Sequence, residues 1–339
     1  MKILVDIGHP AHVHLFKNLI SHFKSLGHFV YVTAREKDIV IELLNHYQIP
    51  HEVISSSAKT PFGMVVELIR RDLRIFRLNR RYKFDFTLGT SVSITHLTFL
   101  YGVPSYNFNE DDDDYIPLYV YLTYPFATKI INPITLRFSK WISKRVLYPS
   151  LHELAYLHPN NFKKDPEVIK KYELTPGQYI IVRLSALAAH HDLSAEGISK
   201  ELELKIEKLV EDYQIIYSRE ITKNNQIDTW EMHQVLAHSK MLISDSQSMT
   251  IEAAVLGVPS VRYSSFVGRS SVIEELENKY ELSCGFSPGE ESAFLETIEE
   301  MLNNNDLHES WMRKRGLLLK DKIDFNDWMK EYFKSELNI

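Results

Sequence analysis

The sequence has a single cysteine, Cys284, which excludes an intramolecular disulfide and a multi-cysteine zinc site. No catalytic pattern surrounds it, so it reads as structural. Long apolar runs are also missing. The most apolar stretch, Tyr115 to Thr128, contains Pro117 and Pro125 and falls short of the roughly 20 residues a spanning helix needs. The opening, MKILVDIGHP, lacks the charged, apolar, small order of a secretory signal and reads as a first buried strand. There is no basic excess either. Lys and Arg number 39 against 45 Asp and Glu, a net charge of -6, which argues against a general nucleic-acid binder because such proteins need positive charge to displace counterions. The expectation is a cytoplasmic protein with no nucleic-acid partner.

What is there is ordinary globular composition, 44% hydrophobic and 25% charged, over 339 residues, more than one hydrophobic core usually serves. Short apolar runs alternate with helical spacing. Lys2 to Asp6, Phe29 to Thr33, His51 to Ile54, Phe84 to Leu88 and Val103 to Tyr106 read as strands, with helices over Val13 to Leu26, Ile39 to Tyr47 and Val92 to Tyr101. A second series follows the Pro- and charge-rich stretch from His158 to Pro176. Its strands are Tyr179 to Leu184, Gln214 to Tyr217, Met241 to Ser244 and Val258 to Tyr263; its helices are Glu201 to Tyr213, Thr229 to Ala237 and Ser248 to Leu256. The predicted class is α/β with two Rossmann-like, doubly wound domains, 1–160 and 161–320, and a tail, 321–339, crossing back to the first.

In open α/β sheets ligands sit at the carboxyl ends of strands. The loop after the first strand carries Gly8, His9, His12 and His14, and an imidazole there can accept a proton from a substrate hydroxyl near neutral pH. A plain turn and helix cap explain the same residues structurally. The histidines lack a nearby acidic pattern, which weighs against a metal site. Gly89, Thr90, Ser91, Asn109 and Glu110 end neighbouring strands and are candidates to line an acceptor site, although turn chemistry accounts for them almost as well.

The segment Ser244 to Pro259 is more specific. A strand ends in small polar residues and a helix begins, so that the free N–H groups of Ser246, Gln247, Ser248 and Met249 form an anion site suited to a diphosphate. Glu252 follows Ser248 by about one turn, where a carboxylate can accept two ribose hydroxyls. The bland alternative is that Ser248 is a plain cap and Glu252 a solvated helix residue. Arg183 and Ser185 end the first strand of the second series. Arg183 suits either a diphosphate contact or a structural ion pair. His190, His191 and Asp192 read as a solvated loop, with a ligand contact as the alternative.

The Ser246 to Pro259 block resembles the nucleotide-binding helix of GT-B-type glycosyltransferases and of UDP-N-acetylglucosamine 2-epimerases: small residues, a helix with an acidic residue, then Gly-x-Pro. His12-Val13 is similar to the Gly-His-Val loop of the transferase that makes lipid II. The whole chain looks most like a bacterial and archaeal family of unknown function in that superfamily, through its Asp-Ile-Gly-His-Pro-x-His-Val-His opening and its Val182 to Ala186 segment. The resemblance implies a UDP-type sugar donor in an interdomain cleft, with Glu252 on the ribose, Ser246, Gln247 and Ser248 on the phosphates, and His12 near the reacting sugar. It implies a metal-independent glycosyltransferase with no cofactor besides its donor, acting on a cell-surface glycan or lipid-linked acceptor. A 2-epimerase and a non-catalytic nucleotide-sugar binder are the alternatives. In place of the lipid II enzyme's glycine-rich loops stand Gly8-His9-Pro10-Ala11 and Ser244-Asp245-Ser246-Gln247.

Two further stretches stand out. Arg70 to Arg81 interleaves arginines with Leu, Ile and Phe, and is a candidate peripheral contact with the inner face of the cell membrane, or else a basic helix paired with acidic neighbours. Phe325, Trp328, Met329, Tyr332 and Phe333 form one apolar stripe at helical spacing.

Overall fold

The computed structural model describes residues 1–58, 60–185, 196–219 and 227–337. The chain forms two compact units, Met1–Tyr156 with Asp324–Ile339, and Leu157–Ile323. Each is an α/β unit around one parallel sheet.

The first sheet contains β1 (Lys2–Ile7), β2 (Phe29–Glu36), β3 (His51–Ser56), β4 (Phe86–Gly89), β5 (Ser105–Phe108), β6 (Lys129–Pro133) and β7 (Arg145–Tyr148), in the order β3-β2-β1-β4-β5-β6-β7. The chain builds outward from β1 in one direction and then from β4 in the other. The order therefore reverses between these two strands, which opens a crevice at their carboxyl ends. Parallel strands covered by helices on both faces must be apolar throughout, and Ile3, Leu4 and Val5 are fully buried. Asp6 of β1 pairs in register with Gly89 of β4. A Cβ on Gly89 would lie 2.6 Å from the Asp6 carbonyl oxygen, and its φ of 156° is unfavourable for other residues, so glycine is required where the two strands meet.

Asp6 is itself fully buried. It accepts hydrogen bonds from Thr33 Oγ1 at 2.7 Å and from Arg71 Nη2 at 2.5 Å. Arg71 lies on the helix Pro61–Tyr82, started by Pro61 and by the Thr60 hydroxyl, which accepts from Gly63 N. This corrects the reading of Arg70 to Arg81 as one membrane-facing stretch: Arg71, Ile75 and Leu78 point into the unit, Ile75 and Leu78 packing with Leu4, Ile54 and Phe84. Glu67 of the same helix is held by both Arg35 Nε and Nη2, at 2.6 and 2.8 Å.

The helix Phe325–Leu337 packs into this first unit. Phe325, Met329 and Phe333 are fully buried, and the Phe333 ring lies 5.7 Å from Phe23, 6.0 Å from Phe86 and 5.1 Å from Tyr106. Trp328 and Tyr332 stack on each other at 5.1 Å and are only partly covered.

The second sheet contains β8 (Tyr179–Leu184), β9 (Gln214–Arg219), β10 (Met241–Ser244), β11 (Ser260–Tyr263) and β12 (Cys284–Phe286), in the order β12-β11-β10-β8-β9. Its switch point falls between β8 and β10, where Ser244 pairs with Arg183. The helix Gln247–Leu256 closes on Gly257, whose φ of 73° is left-handed; a Cβ there would also press within 2.7 Å of the Arg315 side chain. Cys284 sits partly covered on the edge strand, and burial raises its thiol pKa, which suits a structural residue better than a nucleophile. Among the described residues no helix is long and apolar enough to cross a membrane.

Candidate functional site

In the first unit the site is built at the switch point. His9 caps the helix Pro10–Ser25, its Nδ1 accepting from Ala11 N at 3.3 Å, with Pro10 in the first turn. One turn further, His12 meets the loop that leaves β4: Thr90 Oγ1 lies 2.7 Å from Nδ1 and 3.2 Å from Nε2 of the imidazole. Burial, reinforced by His9, His152 and Lys37, holds the His12 pKa well below the ordinary histidine value. The ring is therefore neutral at pH 7, the form a general base needs.

The next strands enclose this pair. The Tyr119 hydroxyl lies 2.8 Å from the Thr90 carbonyl oxygen and 2.8 Å from Asn107 Oδ1, while Asn107 Nδ2 donates to the Ser91 carbonyl. Asn109, after β5, donates to the Asp111 carbonyl and accepts through its own carbonyl from Asn132 Nδ2. This fixes the loop that carries Glu110. Glu110 Oε2 stands 3.1 Å from Nδ1 of His152. Asp111, beside them, has a carboxyl pKa pushed up to about 6, chiefly by burial and then by Glu110. His152 is backed by Phe325, whose ring is nearly parallel to it at 5.6 Å.

Gly8, His9, His12, Gly89, Thr90, Ser91, Asn109 and Glu110 thus come together at the ends of β1, β4 and β5. His14 does not join them. It is buried on the other side of its helix, stacked on Tyr156 at 5.2 Å and edge-on to Tyr47, where packing is its role.

In the second unit, Ser246 occupies the N-cap of the helix Gln247–Leu256 without a side-chain cap hydrogen bond among the described residues. Its own N–H donates to Ser244 Oγ at 2.8 Å, which takes that group out of the expected anion site and leaves the first-turn N–H groups of the helix itself as the candidates. Ser246, Gln247 and Ser248 are partly exposed. Met249 is buried. Glu252 is almost fully buried and its Oε1 lies 2.9 Å from Nε2 of His233, on the helix Met232–His238. It is therefore no solvated helix residue. Arg183 Nη1 donates to Ser218 on β9, and the Ser185 amide donates to Asp245 Oδ1 at 2.6 Å. Asp245 ties the loops after β8 and β10 together, and burial raises its pKa. His190, His191 and Asp192 lie outside the described residues, as does Ala186.

A family model matches residues 1–274. The chain belongs to the DUF354 family, proteins of unknown function. No curated protein matches the sequence. Among solved structures, a UDP-GlcNAc 2-epimerase from Neisseria meningitidis bound to UDP-GlcNAc is similar over 100% of both chains, with 12% identity and a TM-score of 0.74. The S. aureus MnaA-UDP co-structure is similar over 99% of this chain and 97% of its own, at 14% identity and a TM-score of 0.70. The Streptomyces sp. SF2575 glycosyltransferase SsfS6 is similar over 97% and 99%, at 12% identity and a TM-score of 0.60. These likenesses show that the DUF354 chain shares the α/β fold of those structures.

Four polar residues at these two sites of the DUF354 chain escaped the sequence reading. Tyr119 and Asp111 lie in or beside the apolar stretch that drew notice only as a membrane question. His152 follows β7, a short strand without a clear periodic signal, and His233 sits mid-helix with no local pattern. The acidic run Asp111 to Asp114 was the one available pointer.

Proposed function

We propose that the chain is a glycosyltransferase that takes a nucleoside-diphosphate sugar, UDP-linked first of all, and passes the sugar to a hydroxyl acceptor. The observation that carries this reading is the β10 turn: a helix start at a switch point with no side-chain cap among the described residues, and Glu252 one turn in. N–H groups and helix dipole favour a diphosphate at that turn. Glu252, oriented by His233, offers the carboxylate for a ribose hydroxyl. The similarity in fold to structures holding UDP and UDP-GlcNAc supports the same assignment.

In the first unit, His12 is the base. Its neutral imidazole takes the proton of the acceptor hydroxyl as the oxygen attacks the anomeric carbon. The bond from that carbon to the diphosphate oxygen breaks with its electron pair, and the nucleoside diphosphate leaves as an anion.

A second reading, a sugar 2-epimerase, is favoured by one observation: Glu110, Asp111 and His152 supply additional acid and base groups in the same unit as His12. The two readings separate on products. Incubation with UDP-GlcNAc alone, followed by proton NMR, yields unchanged donor for a transferase lacking its acceptor and the C2 epimer for an epimerase. Titration calorimetry with UDP tests what they share; absence of binding at millimolar UDP would overturn both.

A further inference from the structure

The helix Pro61–Tyr82 has a second face that the fold leaves uncovered. Glu67, Arg71, Ile75 and Leu78 lie on the side turned to the sheet. On the opposite side helical spacing brings Phe62, Val65, Ile69 and Leu73 into line, and these are 80%, 56%, 53% and 47% exposed. Four large apolar side chains thus stand opposite the core-facing side of the helix, each about half exposed or more. On the next helices, Val92–Tyr101 and Pro117–Thr123, Phe99 and Leu118 are also 68% and 73% exposed. An apolar surface of this extent marks an interaction site.

Charge identifies the partner. The helix pairs its charges inward or sideways through Glu67 with Arg35, Arg71 with Asp6 and Asp72 with His96. Arg70, Arg74, Arg77, Arg80 and Arg81 are exposed. The neighbouring helices, Val92–Tyr101 and Pro117–Thr123, contain no acidic residue. A chain of net charge -6 thus gathers positive charge beside its exposed apolar stripe. A two-fold contact with a second copy would set these arginines against their own kind. An anionic lipid surface complements both features, since headgroups attract the arginines while Phe62 and its neighbours enter the acyl boundary.

We propose that this face seats the protein on an anionic lipid bilayer, with Phe62, Val65, Ile69 and Leu73 inserted and the arginines at headgroup level. The docking is independent of the nucleotide-sugar reading. Each basic side chain at such a surface strengthens partition by about fivefold.

Co-sedimentation of the full chain with vesicles of phosphatidylcholine alone, or mixed equally with phosphatidylglycerol, tests it. Binding is expected to the mixed vesicles only and to weaken as salt is raised. The triple variant Arg77→Glu, Arg80→Glu, Arg81→Glu should lose at least tenfold in partition, and Phe62→Ser with Ile69→Ser should lose binding even at low salt. These positions are exposed, so the variants should keep the wild-type melting temperature. Equal sedimentation with and without anionic lipid would overturn the proposal. So would a concentration-dependent dimer in analytical ultracentrifugation that Phe62→Ser with Ile69→Ser converts to monomer.

Discussion

Thr90 Oγ1 stands 2.7 Å from Nδ1 of His12, a bond that spans the switch point of the first sheet and holds the ring between the loops after β1 and β4. A surrounded, neutral histidine oriented by a neighbour is what proton abstraction requires. Replacing His12 by Ala should lower turnover by about 10²- to 10⁴-fold and leave UDP affinity unchanged, as read by steady-state kinetics beside calorimetry. Equal losses in both quantities would assign His12 to binding.

The same histidine sets an acid limit. Its folded-state pKa is depressed below 6.5, so the neutral ring contributes stability that is present above that value and lost as pH falls from 6.5 toward the folded-state value. His12→Gln removes the group that must charge. The variant should therefore lose less melting temperature than the wild type between pH 7.5 and 5. A parallel decline in the two proteins would contradict this.

Asp111 works in the opposite direction. Its carboxyl pKa is raised to about 6, so ionisation opposes folding, and the protein loses stability as pH rises from the ordinary carboxylate value through 6. Asp111→Asn should raise the melting temperature at pH 8 and change it little near pH 4. An unchanged melting temperature at pH 8 would show that the charge is already compensated.

Glu252 joins binding to stability. Removing it should weaken UDP binding tenfold or more, because a charge-assisted hydrogen bond is worth about 1.5–3 kcal/mol. Its burial against His233 adds a second effect: Glu252→Ala leaves a covered imidazole without this acceptor, at about 1–3 kcal/mol of stability. Glu252→Gln keeps an acceptor and should recover most of the stability. Urea denaturation of the three proteins beside UDP titration separates the effects, and unchanged UDP affinity in Glu252→Ala would remove it from the nucleotide site.

Removing the tail should unfold the first unit. Phe333 lies among Phe23, Phe86 and Tyr106, and Phe325 backs His152. Phe333→Ala should cost about 3–5 kcal/mol by denaturant titration, and deletion from Phe325 onward should abolish the first unit's transition in calorimetry. A truncated chain that melts like the wild type would show that these rings contribute little.

The sequence by itself determined the α/β class, the alternation of strand and helix in both halves, and the polar loops after β1 and β10 that carry the proposed chemistry. These are local facts, since buried parallel strands need apolar runs, covering helices need 3.6-residue spacing, and turns at strand ends need small or polar residues. The strands β6, β7 and β12 were not legible, being three to five residues long without a distinct period. Tertiary structure alone decided which polar residues meet. Arg71 turns inward because Asp6, 65 residues earlier, needs a counter-charge in the sheet, and His14 turns into packing while His12, half a turn earlier, reaches Thr90 across 78 residues. His152 and Glu110 come together because β5 and β7 flank β6, and Glu252 finds His233 because two helices pack. Such pairings depend on strand order and helix packing, which no run of neighbouring residues encodes.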